Sequence, residues 1–302
     1  MEMKRKKRNL SLWIGGGLLI CFVTLAILGP WIAPYSVTDE DWSADPPLYP
    51  SSTHWLGSDN QGKDLLTLML YGLKYTLFIS IGIAFLRILI GGVIGLGLGM
   101  KEVQVKQQGI FRVLGSVPVI IILSFLLTKV GITEDVTPAK WELIVVQSVL
   151  MILFGIAPIV ISVKSKTEVI KSHLFVMVAK QMGASTQRVI WKHIFPLLKE
   201  NLFLMFLYEI ILVLVMFGQL SIVNVFLGGS LIKISSSGPP KYYSKSQEWM
   251  SLLGQHKDYL DYKIWVIAYP LLGFFLLMLS FYLLYRGFEK KYQQEYSKQP
   301  YI

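Results

Sequence analysis

The amino-acid sequence predicts an all-α integral membrane protein with six transmembrane helices, and three observations carry that prediction. Of its 302 residues 53% are hydrophobic and 16% charged, and the mean hydropathy of +0.53 stands well above that of an ordinary soluble domain. The apolar residues fall in runs of roughly 20, and at 1.5 Å per residue such a run crosses the roughly 30 Å hydrocarbon core as a helix. The basic residues behind the net charge of +10 sit in short segments between these runs. They therefore report orientation, and do not form the folded basic face that nucleic acid requires.

The first element begins with Lys4, Arg5, Lys6, Lys7 and Arg8, followed by an apolar stretch from Leu10 to about Leu28. That stretch exceeds the core of a signal peptide and no Ala-x-Ala-like site follows, so it reads as an uncleaved first span ending near Pro30 and Pro34. Residues 35–75 are polar and read as an ordered connector, with a short amphipathic run from Leu65 to Leu73. Further spans are expected from about Leu77 to Met100, between the polar breaks 101–108 and 131–141, and from about Leu143 to Val163. After a basic segment the fifth runs from about Leu202 to Val225, and after a polar loop the sixth from about Trp265 to Tyr285. These bounds divide the chain into 1–75 (tail, first span and connector), 76–290 (a transmembrane core holding a cytoplasmic loop, 164–200) and a tail, 291–302.

Six spans put both termini on one side, and Lys and Arg decide which. The terminal segments, the break after Lys101 and the segment Lys164 to Lys199 hold about nineteen of them, against about nine in the other loops. Both termini and that segment are thus expected in the cytoplasm, in a multi-pass protein of the cell membrane.

Within the basic segment Ser172 reads as the N-cap of a helix from His173 to Met182, with Leu174, Phe175, Val178, Ala179 and Met182 on one face. Gly183 allows a sharp turn, and Ser185 caps a second helix through His193, which Pro196 stops. The result is a helical hook offering a compact, partly apolar knob to a soluble partner.

The run Val178-Ala179-Lys180-Gln181-Met182-Gly183-Ala184-Ser185, with Arg188, Ile190, His193, Ile194 and Pro196, resembles the EAA loop of bacterial ABC import permeases of the oligopeptide, dipeptide and nickel group. Two further stretches resemble the same family in the same order. One is His54-Trp55-Leu56-Gly57-Ser58-Asp59 with Gly62-Lys63-Asp64, ahead of the second span; the other is Trp249, Ser251, Leu253 and Asp258-Tyr259-Leu260, ahead of the last. The resemblance implies the type I importer permease (MetI-like) fold. It also implies a heterodimeric pairing with a second homologous permease subunit, two ATPase subunits docked on the hook, and an extracellular solute-binding protein. ATP and Mg would sit on the ATPase chains, and this chain would bind no cofactor or metal and carry out no catalysis. The expected activity is uptake of oligopeptides or dipeptides by alternating access. Nickel or another chelated metal is the alternative cargo, and a transport-incompetent sensor or scaffold the alternative role. Two acidic family positions are replaced, by Met177 in the hook and by Gln219 in the fifth span.

Other residues carry separate expectations. Gly57 to Asp64 misses a phosphate-binding loop because Asp64 stands where that motif needs Ser or Thr. Arg87 and Glu209 lie at similar depth within spans, and are expected either to pair or to serve the translocation path. Gly91, Gly95 and Gly99 recur every four residues, the spacing of a close helix contact, with a gating hinge as the other reading. Gln219 and Asn224 are candidates to line a polar path. Cys21 has no disulfide partner, and His54, His173, His193 and His256 lack metal-ligand spacing.

Overall fold

A computed structural model describes residues 9–43, 45–101, 119–133, 140–234 and 239–296. Among them, five helices are long and apolar enough to cross a membrane. The first is α1 (Leu10–Ile32). The second is built from α2 (Leu65–Lys74), a π-helical turn (Tyr75–Ile79) and α3 (Ser80–Met100) without a break. Then come α4 (Val119–Gly131), α5 (Lys140–Lys171), the hook helix α6 (Leu174–Gln181) and the short α7 (Thr186–Val189). A second π-helical turn (Ile190–Ile194) leads into α8 (Phe195–Ile222), and α9 (Trp249–Gln255) precedes α10 (Trp265–Tyr296). α4 is the described part of the expected third span; the rest of that expectation lies outside the described residues.

Several expected bounds are corrected. The second span starts at Leu65 and not at Leu77, because Asp64 caps the helix there: its carboxylate accepts from the Thr67 N–H at 2.8 Å. The amphipathic run therefore belongs to the membrane helix and not to the connector. Pro196 does not end the second hook helix, since the chain is helical from Thr186 to Ile222. Pro has no N–H to donate, and the widened π turn just before it absorbs the defect that would otherwise kink the rod. The fourth and sixth spans also extend beyond their apolar cores as polar helix, to Lys171 and to Tyr296.

α3 packs along α5, α1 along α10, and α8 lies between these pairs, touching α3 and α10. The glycine row explains the first contact. A Cβ on Gly91, Gly95 or Gly99 would crowd Ile159, Val163 or Thr167 of α5. The common core holds Phe22, Leu77, Leu214, Phe217, Trp249 and Phe281, all buried. Asn9 donates to the Gly287 carbonyl at 2.5 Å, which fastens the start of α1 to the C-terminal part of α10 at one end of the bundle.

The opposite end is closed by the connectors and by a feature absent from the all-α expectation, a small sheet in the order β1 (Ile132–Thr133), β2 (Ser230–Lys233), β3 (Lys241–Ser244). β1 and β2 run parallel and β2 and β3 antiparallel, with Leu231 opposite Tyr243.

Candidate functional site

The hook sits at the end of the bundle where α1 starts and α10 ends, between two long helices. α5 ends at Lys171, where the Ser172 hydroxyl donates to the Val169 carbonyl at 2.7 Å. Ser172 is thus the last turn of α5 and not the expected N-cap of α6. His173 holds the cap position and its side chain makes no capping bond. Gly183, at φ +83°, turns the chain in the left-handed region that Cβ-bearing residues avoid. The expected cap at Ser185 is present: its hydroxyl accepts from the Arg188 N–H at 3.3 Å.

One residue of α6 decides how the hook is held. Val176 is fully buried with Met100 of α3, Val189 of α7 and Ile194 of the π turn. The sequence puts Leu174, Phe175, Val178, Ala179 and Met182 on one apolar face of the knob, and gives no sign of Val176. Leu174, Phe175, Val178 and Met182 are exposed, together with Met177, Lys180 and Arg188, while Ala179 and Ala184 are half-buried. A small apolar cluster, to which Leu96 of α3 and Ala184 and Ile190 of the hook also contribute, therefore ties the hook to α3, while the chain itself ties it to α5 and α8.

Inside the bundle Arg87 is 2% exposed, and its Nη1 donates to Glu209 Oε1 at 2.7 Å. Nε and Nη2 donate to the Met151 carbonyl at 3.1 and 2.6 Å, so one guanidinium joins α3, α5 and α8. The slot for it exists because residue 155 is glycine; a Cβ there would overlap the guanidinium. Gly155 and Met151 carried no signal in the sequence, since neither is polar or periodic. Gln219 is exposed on α8. Asn224, at φ +60°, is the turn that ends α8, and its side chain accepts from Lys257 Nζ at 2.9 Å. At the hook end, α5, α8 and α10 frame a cleft of about 440 Å³ lined by Lys166, Glu200, Asn201, Tyr208, Tyr285 and Glu289.

The far end is locked by buried polar groups. His54 contacts Asp64 at 3.0 Å and Asp41 at 3.1 Å, and Asp59 accepts from the N–H groups of Gln61 and Lys63. The Gly57 to Asp64 segment is therefore a folded turn whose acids cap backbone. Glu248 caps α9, accepting from Met250 N–H at 3.0 Å and Ser251 N–H at 2.6 Å. Burial pushes its carboxyl up to about 7 against those hydrogen bonds. Trp249 next to it donates from Nε1 to the Met69 carbonyl at 2.8 Å and from its backbone to Thr76 at 3.1 Å, pinning α9 onto α2. Gln147 fastens α5 to the same end, bonding both Phe226 and Gly228 backbone.

Comparison with known proteins agrees with this architecture. A family described as binding-protein-dependent transport system inner membrane component matches residues 91–294, and the N-terminal TM domain of oligopeptide transport permease C matches residues 3–50. The dipeptide transport system permease protein of Bacillus subtilis is 29% identical over 195 residues, 64% of this chain; the match spans 58% of that relative's length, less than two thirds. The oligopeptide transport system permease protein of Haemophilus influenzae is 24% identical over 282 residues, 92% of this chain and 80% of its own. The glutathione transport system permease protein of Shigella dysenteriae is 26% identical over 269 residues, 89% of this chain and 81% of its own.

Proposed function

The chain belongs to the family of binding-protein-dependent transport system inner membrane components, and from that premise we propose that it is the membrane subunit of an ATP-driven importer of short peptides. It is a multi-pass inner-membrane protein with both termini and the hook in the cytoplasm. It pairs with a second homologous permease, receives solute from a binding protein on the outer face, and leaves ATP and Mg to two ATPase chains. The observation that carries this reading is the seating of the hook: α6 stands between the ends of α5 and α8 and is riveted to α3 through Val176. Closure of the ATPases would move three helices at once, and such a shift of packed helices is what alternating access requires. The peptide substrate is supported by the likeness to dipeptide and oligopeptide transport permeases. The cleft between α5, α8 and α10 brings Lys166, Glu200 and Asn201 together with apolar and aromatic side chains at the hook end of the bundle.

The test is twofold. A photo-cross-linker at Ala184 in native membranes should capture an ATPase subunit, and deletion of this chain should abolish uptake of labelled dipeptides and oligopeptides. Capture with unchanged peptide uptake would leave the coupling role and remove the substrate. Labelling of Ala184 from outside intact cells would overturn the orientation.

A further inference from the structure

The hook presents exposed apolar and basic side chains together. Leu174, Met177 and Val178 fall at i, i+3 and i+4 of α6, with Met182 at the turn, and they are 78%, 50%, 43% and 83% exposed. Val176 is the buried residue of α6, and these four side chains do not belong to the apolar cluster that holds it. Lys180, at i+3 from Met177, is exposed on the same helix, Arg188 and Lys192 are exposed on the turns that follow, and between Glu168 and Glu200 the chain has no Asp or Glu at all.

This pattern constrains the surface that grips it. A hook without a carboxylate has nothing to pair with a basic groove, and its own exposed cations would be repelled by one. An apolar floor rewards burial of Leu174, Met177, Val178 and Met182, and acids at the rim match Lys180, Arg188 and Lys192. We propose that the ATPase groove receiving this hook has an apolar floor and an acidic rim, with Met177 seated in the floor. The proposal rests on reading the hook as the ATPase contact, and it assigns the chemistry of that partner. A Met-lined face suits the role, because the flexible thioether side chain adapts to an irregular surface.

The experiment uses the complete complex, solubilised from native membranes, with a photo-cross-linker at Val178. The cross-linked ATPase residues should be apolar and flanked by Asp or Glu. Met177→Glu should lower the amount of co-purified ATPase at least tenfold, Met177→Leu should retain it, and Lys180→Glu with Arg188→Glu should also weaken association. Thermal unfolding of the isolated permease should not change in these variants, since the side chains project from the fold. Tighter association in Met177→Glu or in the double charge reversal would mean a basic groove; it would overturn this inference and leave ATPase coupling intact. Cross-linking of wild type to anionic phospholipid alone, with no ATPase captured, would overturn the reading of the hook itself.

Discussion

Arg87 on α3 and Glu209 on α8 meet at 2.7 Å in the interior of the bundle, and the same guanidinium bonds the Met151 carbonyl of α5. Removing one partner leaves a buried charge unmatched, which typically costs about 3–5 kcal/mol. Arg87→Ala or Glu209→Gln should therefore lower the melting temperature in detergent or prevent accumulation of folded protein. The charge swap Arg87→Glu with Glu209→Arg should recover only part of this. A carboxylate at 87 would face the Met151 oxygen, which needs a donor.

Gly155→Ala should resemble loss of the ion pair, although it removes no charge. The added methyl occupies the guanidinium's place and forces Arg87 away from Glu209. A thermal shift close to that of Arg87→Ala, and small in the Arg87→Ala background, would establish the coupling as a double-mutant cycle.

Substitution along α3 should separate the two kinds of glycine. At Gly95 a Cβ would approach Val163 to 2.7 Å, whereas at Gly97 it would meet nothing within 4 Å. Gly95→Val should part α3 from α5 and destabilise the bundle, and Gly97→Ala should be neutral or slightly stabilising through helix propensity. Cysteine cross-linking between α3 and α5 reads the separation directly.

Glu248 makes the end of the bundle opposite the hook pH-sensitive. Its carboxyl rises from 4.5 in the unfolded chain to about 7 when buried, so the folded state binds the extra proton between those values. Stability from this group is full below about pH 4.5 and is lost as pH rises toward 7. The opposing trend from His256, lowered by burial, and the like trend from Asp59, raised by burial, are common to wild type and variant. The difference between wild type and Glu248→Gln should therefore isolate the Glu248 contribution, with the wild type losing stability relative to the variant between pH 5 and 8.

At the hook, Gly183→Ala places a Cβ on a residue at φ +83°. The strain is about 1–2 kcal/mol, and with nothing else near the turn it should be relieved by re-angling α6. The expected signature is ATP hydrolysis that no longer responds to solute, with the permease still folded; unchanged stimulation by solute would show that the turn's angle is immaterial.

Much of this architecture was legible in the sequence because membranes impose simple rules. Apolar run length gave the spans, Gly91, Gly95 and Gly99 gave the α3 contact, and two charges at one depth gave Arg87 and Glu209. The extent of the helices was not legible, since hydropathy marks only the part of a helix that lies in lipid. α2, the end of α5 and the end of α10 continue their helices beyond the continuous apolar runs. Nor did Pro196 read correctly, because a π turn upstream can absorb a proline that would break an ideal helix. In the hook, the exposed apolar face outweighed the packed one, so periodicity pointed to the residues offered to a partner and missed Val176. Gln147 acts through the backbone of Phe226 and Gly228, far away in sequence, a relationship no local pattern records, whereas Glu248 caps its own helix locally and was overlooked.

The helical rod from Thr186 to Ile222 is 37 residues, roughly 55 Å at 1.5 Å each, and has no hinge at Pro196. Stiffness of this kind has no preferred direction. On the proposed function, a rod that transmits motion one way transmits it the other, so delivery of cargo at one end and affinity for ATP at the other shift by the same factor.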